Sequence, residues 1–211
     1  MRVAIPLFDR LTALDAVGPY EVLSRLPGVE ILFVASKPGP KRTDAGLALL
    51  AETRLSETGT PDIVVVPGGV GVHQAMRDSS LLDWIRSSHA ASTWTASVCT
   101  GALVLGAAGI LRGINATTHW NHLHRLPEFG ANPIASRIVE HGKVLTAAGV
   151  SAGIDMALRL AQILAGDTVA QAIQLSIEYD PEPPFDAGSP AKATEEVVAL
   201  VRRAAEKAQS R

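Results

Sequence analysis

Cysteine is nearly absent: one residue in 211, Cys99, which cannot close an internal disulfide. That excludes a disulfide scaffold and favours a reducing compartment. No run of Lys or Arg is concentrated anywhere, and the net charge is −2, so nucleic acid is not expected as a partner. No long hydrophobic run is present either. The opening MRVAIPLFDRL has a short apolar stretch interrupted by Pro6 and Asp9, too short for a signal peptide or a membrane span. Internal repeats and low-complexity linkers are also lacking. Hydrophobic residues supply 47% of the chain, ample for a core, and the length suits a single domain over residues 1–211. The expectation is a soluble cytoplasmic protein with no membrane partner.

What is there is alternation. Apolar runs of strand length occupy residues 2–8, 29–36, 62–69 and 92–98, with a short strand at 47–53. Segments of helical period follow at 14–26, 80–92 and 102–111. NATTHW (115–120) reads as a short strand, and 135–140 with 143–149 as a hairpin around His141-Gly142. Residues 151–177 read as helix broken near Gly166-Asp167, and a last helix spans about 191–208. EYDPEPPFDAGSP (178–190) is an irregular excursion rich in Pro and acid. This order predicts an α/β fold, a mostly parallel sheet sandwiched by helices. Ligands of such sheets sit beyond the C-terminal strand ends. Three places qualify: Leu7 to Asp15, PGGVG (67–71), and Cys99.

In SVCTGALVLGAAG (97–109), Cys99 lies where a strand turns into a helix, among the small residues Ala96, Ser97, Gly101 and Ala102. A nucleophile elbow needs small neighbours, because its backbone is cramped. The following helix would aim its amides at the sulfur and favour the thiolate. A buried structural cysteine is the other reading. PGGVG could turn backbone N–H groups toward a common point, or simply be a tight βα turn. Asp15 could cap the first helix, or be a half-buried carboxyl with a raised pKa and a proton to give. Thr100 could orient water or stabilise charge beside the thiol. Position 100 is not histidine, which departs from Cys/His catalytic pairs. His119 and Trp120 are candidate pocket residues. His119, His122 and His124 lack acidic or cysteine partners at ligand spacing, so no metal is expected.

Taken together, IPLFDRLTALDAVGPYEVL, DIVVVPGGVG and SVCTGALVLGAAGIL resemble the ThiJ/PfpI superfamily of the class I glutamine amidotransferase-like, flavodoxin-like fold. GINATTHW, GVSAGIDMAL and EYDPEPPFDAGSP resemble its isonitrile hydratase branch. The resemblance implies addition of water to R–N≡C to give an N-substituted formamide. Cys99 would be the nucleophile forming a thioimidate, Asp15 the nearby carboxyl that protonates the isonitrile carbon, and Thr100 the helper. Gly69 and Val70 match the amides facing the oxyanion site. A homodimer with no cofactor is implied. Two alternatives stay open: a ligand- or redox-sensing protein in which Cys99 is oxidised without turnover, and a glyoxalase- or amidase-like enzyme of the same fold.

Overall fold

The computed structural model describes residues Met1–Gln209, which fall into two compact units, residues 1–177 and residues from 178 onward. In chain order the strands are β1 (Arg2–Pro6), β2 (Glu30–Ala35), β3 (Gly39–Arg42), β4 (Ala48–Ala51), β5 (Thr53–Arg54), β6 (Ile63–Val66), β7 (Trp94–Val98), β8 (Asn115–Ala116), β9 (Asn132–Pro133), β10 (Ile138–His141) and β11 (Val144–Ala147). The helices are α1 (Ala13–Leu23), α2 (Val72–Ala75), α3 (Ser79–Ala91), α4 (Gly101–Ala107), α5 (Ala152–Ala165), α6 (Asp167–Ser176) and α7 (Glu195–Gln209). The first unit holds a seven-stranded sheet in the order β10-β11-β7-β6-β1-β2-β5. Every pairing in it is parallel except β10 with β11. This is the α/β sandwich expected from the alternation.

Strand periodicity assigns the side chains to two cores. Ile63 and Val65 point into one, with Val3, Ile5, Ala96 and Val98 and residues of α1 and α5. Val64 and Val66 point into the other, with Ala4 and residues of α3 and α4. Both faces of β6 are therefore buried, which is why IVVV carries no polar residue. Pro67 lacks an N–H and ends the strand there, so the apolar run 62–69 yields only four strand residues. α1 stops at Leu23, three residues short of the expected end, because Pro27 disfavours helix at Leu26.

Three differences from the sequence expectation matter. The strand expected at 47–53 is divided: β4 pairs antiparallel with β3, apart from the main sheet, and β5 joins the sheet edge. The strand expected at 115–120 ends at Ala116. Thr117 N–H donates to Thr146 Oγ1 and Thr118 Oγ1 donates to Cys99 C=O, so side chains replace the ladder there. Trp120–Phe129 then form a 3-10 helix that periodicity did not reveal. Gly166, at φ 82, divides α5 from α6 where the break was expected. In the second unit, residues 178–190 are irregular as read and α7 begins at Glu195. Among the described residues no helix is long and apolar enough to cross a membrane.

Candidate active site

Cys99 occupies the turn between β7 and α4 with φ 56, a left-handed conformation that costs a non-glycine residue energy. Cys99 N–H donates to Ala148 C=O at 2.9 Å, and Thr118 Oγ1 donates to Cys99 C=O at 2.8 Å. Those bonds hold the turn from both sides. Gly101 is required by space: a Cβ there would lie 2.2 Å from the Val66 carbonyl oxygen. Gly68 meets the same constraint, since its Cβ would lie 2.5 Å from Thr100 N. The glycines of PGGVG are there so that backbone can press against the cysteine turn.

Asp15 is the third residue of α1; the N-cap position belongs to Thr12. The capping reading of Asp15 is thereby corrected. Its carboxyl is fully buried and accepts Gly68 N–H on Oδ2 at 2.9 Å. Its Oδ1 is buried with no hydrogen-bond partner among the described residues, and the Cys99 thiol is close enough to act on the carboxyl. Burial pushes the Asp15 carboxyl from 3.8 up to about 7; the Gly68 bond opposes this, the Asp44 charge adds to it, and the thiol opposes it.

Cys99 is 6% exposed. Burial pushes its thiol from 9.0 up to about 12, and the Asp15 charge pushes the same way. The N–H groups of Val150 and Thr100 and the Thr100 hydroxyl pull in the opposite direction and do not overcome it. The expectation that the α4 N-terminus favours a resting thiolate is therefore reversed. At neutral pH the sulfur holds its proton beside a carboxyl poised to exchange one.

Thr100 Oγ1 accepts Gly69 N–H at 2.9 Å and lies 3.2 Å from Gly69 C=O. The Gly69 amide is thus engaged by Thr100, while Val70 N–H takes no partner among the described residues. Gly69 has φ +124, and Leu11 forms an isolated antiparallel bridge to it. His119 stands over Gly149, where a Cβ would lie 2.8 Å from His119 Cδ2, and Gly149 adjoins Val150. Burial lowers the His119 pKa, so the ring is neutral at pH 7. Trp120 is half-buried and tilted against His119, their ring centroids 5.5 Å apart. Asp15, Cys99, Thr100 and Gly69 are brought together; His119 adjoins that group through Gly149–Val150, and Trp120 leans on His119.

Two participants were missed from sequence, Gly68 N–H and Val150 N–H. Backbone donors have no residue-type signature, and Val150, at φ 25, is an unexpected residue for such a position. Among the described residues no three His, Cys, Asp or Glu side chains converge as metal ligands.

The DJ-1/PfpI family model matches residues 1–163. The chain is 45% identical over 205 residues to an isonitrile hydratase of Pseudomonas putida, covering 97% of this chain and 90% of that protein. It is 29% identical over 153 residues to protein dj-1beta of Drosophila melanogaster, covering 71% and 82%. The crystal structure of a THiJ/PfpI family protein from Pseudomonas syringae superposes with TM-score 0.94 at 35% identity, covering 99% of this chain and 89% of that one.

Proposed function

The chain belongs to the DJ-1/PfpI family, and on that premise we propose that it is a cysteine-dependent isonitrile hydratase. The observation that carries this reading is the buried pair of Asp15 carboxyl and Cys99 thiol, with no histidine bonded to the sulfur among the described residues. An isonitrile carbon must gain both a proton and a nucleophile. The pair supplies both without a separate base.

In the first half-reaction Asp15 takes the thiol proton of Cys99 and delivers a proton to the terminal carbon, while the sulfur bonds to that carbon. Cys99–SH and R–N≡C become the thioimidate Cys99–S–CH=N–R. As negative charge builds on sulfur, the N–H groups of Val150 and Thr100 and the Thr100 hydroxyl stabilise it. In the second half-reaction Asp15 takes a proton from water as its oxygen adds to the same carbon and passes that proton to nitrogen; the C–S bond then breaks as the remaining hydroxyl proton moves, through Asp15, to sulfur. R–NH–CHO leaves and Cys99 is again a thiol. One hard addition is divided into two easier steps. The Val70 amide is the donor proposed for the oxygen of the tetrahedral intermediate, and His119 and Trp120 are proposed to wall the substrate pocket. A homodimer, a single domain over residues 1–211, a cytoplasmic location and no cofactor complete the proposal.

Neither alternative has an observation of its own. A sensor cysteine is acidic and accessible, whereas Cys99 is buried with its pKa raised. A glyoxalase- or amidase-like enzyme needs a glutamate near the thiol and a working histidine. The carboxyl here belongs to Asp15. The test is turnover of cyclohexyl isonitrile, followed as N-cyclohexylformamide by chromatography. Formation by the native chain, its loss in Cys99→Ala and a large slowing in Asp15→Asn support the reading. An inert native chain across several isonitriles overturns it.

A further inference from the structure

A concavity of about 500 Å³, lined by neither Cys99 nor Asp15, lies beyond the C-terminal ends of β1 and β2. Its size suits a small organic molecule, and α/β sheets place ligands at such strand ends. Leu7, Ala75 and Leu81 give it a buried apolar floor. Around that floor stand three cations: Lys37 after β2, Lys41 on β3, and Arg77 between α2 and α3.

The two carboxylates of the lining have structural tasks. Asp9 Oδ1 accepts Arg42 N–H at 3.1 Å. Asp78 Oδ1 accepts Leu81 N–H at 3.2 Å, capping α3, and its Oδ2 accepts the Ser36 hydroxyl at 3.1 Å. The cations have none. Lys37, Lys41 and Arg77 enter no ion pair or side-chain hydrogen bond among the described residues. Counting the five charged groups leaves the lining with one excess positive charge. Three cations are thus gathered at a pocket whose acids are already engaged.

We propose that this concavity is a second binding site, for a small organic monoanion: a carboxylate on an apolar body. The body would rest on Leu7, Ala75 and Leu81, and the carboxylate would face Lys41 and Arg77, with Lys37 at the rim. One excess charge matches one carboxylate better than a doubly charged phosphate monoester. The site also touches the catalytic loop, because Gly71 lines it and Gly71 N–H donates to Arg10 C=O at 3.0 Å. Its existence does not depend on the hydratase reading.

The experiment is calorimetric titration of the full chain with 4-phenylbutyrate, 4-phenylbutyramide and phenyl phosphate. Saturable one-to-one binding of the carboxylate is expected, weakened roughly tenfold or more in Lys41→Gln and in Arg77→Gln and kept in Cys99→Ala. The neutral amide, which needs no variant to interpret, is expected to bind at least about tenfold more weakly. Absence of carboxylate binding overturns the proposal, as does equal binding of the amide. Loss in Cys99→Ala would place the ligand at the catalytic site instead. Tighter binding of phenyl phosphate would overturn the monoanion assignment.

Discussion

The Thr100 hydroxyl grips both polar groups of Gly69, accepting its N–H at 2.9 Å and reaching its C=O at 3.2 Å. The next amide back, Gly68 N–H, is held by Asp15. The loop after β6 is therefore pinned by Asp15 and by Thr100. Thr100→Val leaves Gly69 N–H without its acceptor, at a cost of about 1–3 kcal/mol. The expected result is a lowered Tm and a kcat reduced roughly tenfold or more, with Thr100→Ser close to the native protein in both. Steady-state kinetics and thermal unfolding check this.

The Asp15–Cys99 pair holds one proton between about pH 7 and about pH 12, and that is the form able to give a proton and keep a nucleophile. Below the lower value a second proton blocks transfer from sulfur to carboxyl. A profile of kcat/KM against pH is expected to rise through about pH 7 and stay level through the alkaline range. Asp15→Asn should remove the rising limb. A fall in kcat/KM as pH increases past 7 would mean that the protonated carboxyl is the active form.

Stability carries the opposite sign. The folded pKa of Asp15 lies above its unfolded value, so its contribution is full below about pH 4 and is lost as pH rises to about 7. Above that, burying the carboxylate costs on the order of a few kcal/mol. Asn keeps an oxygen for Gly68 N–H and carries no charge. Asp15→Asn is expected to raise Tm at pH 8 and to match the native protein near pH 4, measured by calorimetry at both values.

A thiol raised to about 12 is a poor nucleophile towards reagents that Asp15 cannot assist. Alkylation of Cys99 by iodoacetamide at pH 8 is expected to run on the order of a thousandfold slower than that of a free cysteine. A time course of intact mass reads this directly. Rapid labelling would indicate an open, acidic thiol of the sensing kind.

Space sets a further expectation. Gly101→Ala would put a methyl 2.2 Å from the Val66 carbonyl, which is fixed in the sheet, so backbone must move. Destabilisation of about 2 kcal/mol or more is expected in denaturant titration. Gly109→Ala is a useful contrast: φ is +82 there, yet among the described residues no atom beyond its chain neighbours would lie within 4 Å of its Cβ, so only conformational strain is added.

Much of this was readable from residue types. The run IVVV could only be a strand buried on both faces, and the small residues around Cys99 marked a turn that has no room for side chains. The position of Asp15 was readable, but not its task, because a carboxylate near a helix start serves as a cap or a proton donor with the same sequence. The structure removes the cap, which belongs to Thr12, and shows Asp15 buried, which no neighbouring residue in the sequence announces. The Thr117–Thr118 pair looked like strand because β-branched residues favour strands, yet both hydroxyls found carbonyls elsewhere. The contributions of Gly68 and Val150 come from their backbone, where side-chain identity carries no information.

The central claim is that the Cys99 sulfur bonds to the isonitrile carbon. The most direct test is intact-mass analysis of the chain mixed with cyclohexyl isonitrile and quenched in acid within the first turnovers. The expected result is a species heavier by one isonitrile molecule, mapped to Cys99, that decays as formamide appears and is absent from Cys99→Ala. Formamide production by Cys99→Ala at the native rate, or an adduct on another residue, would contradict the account.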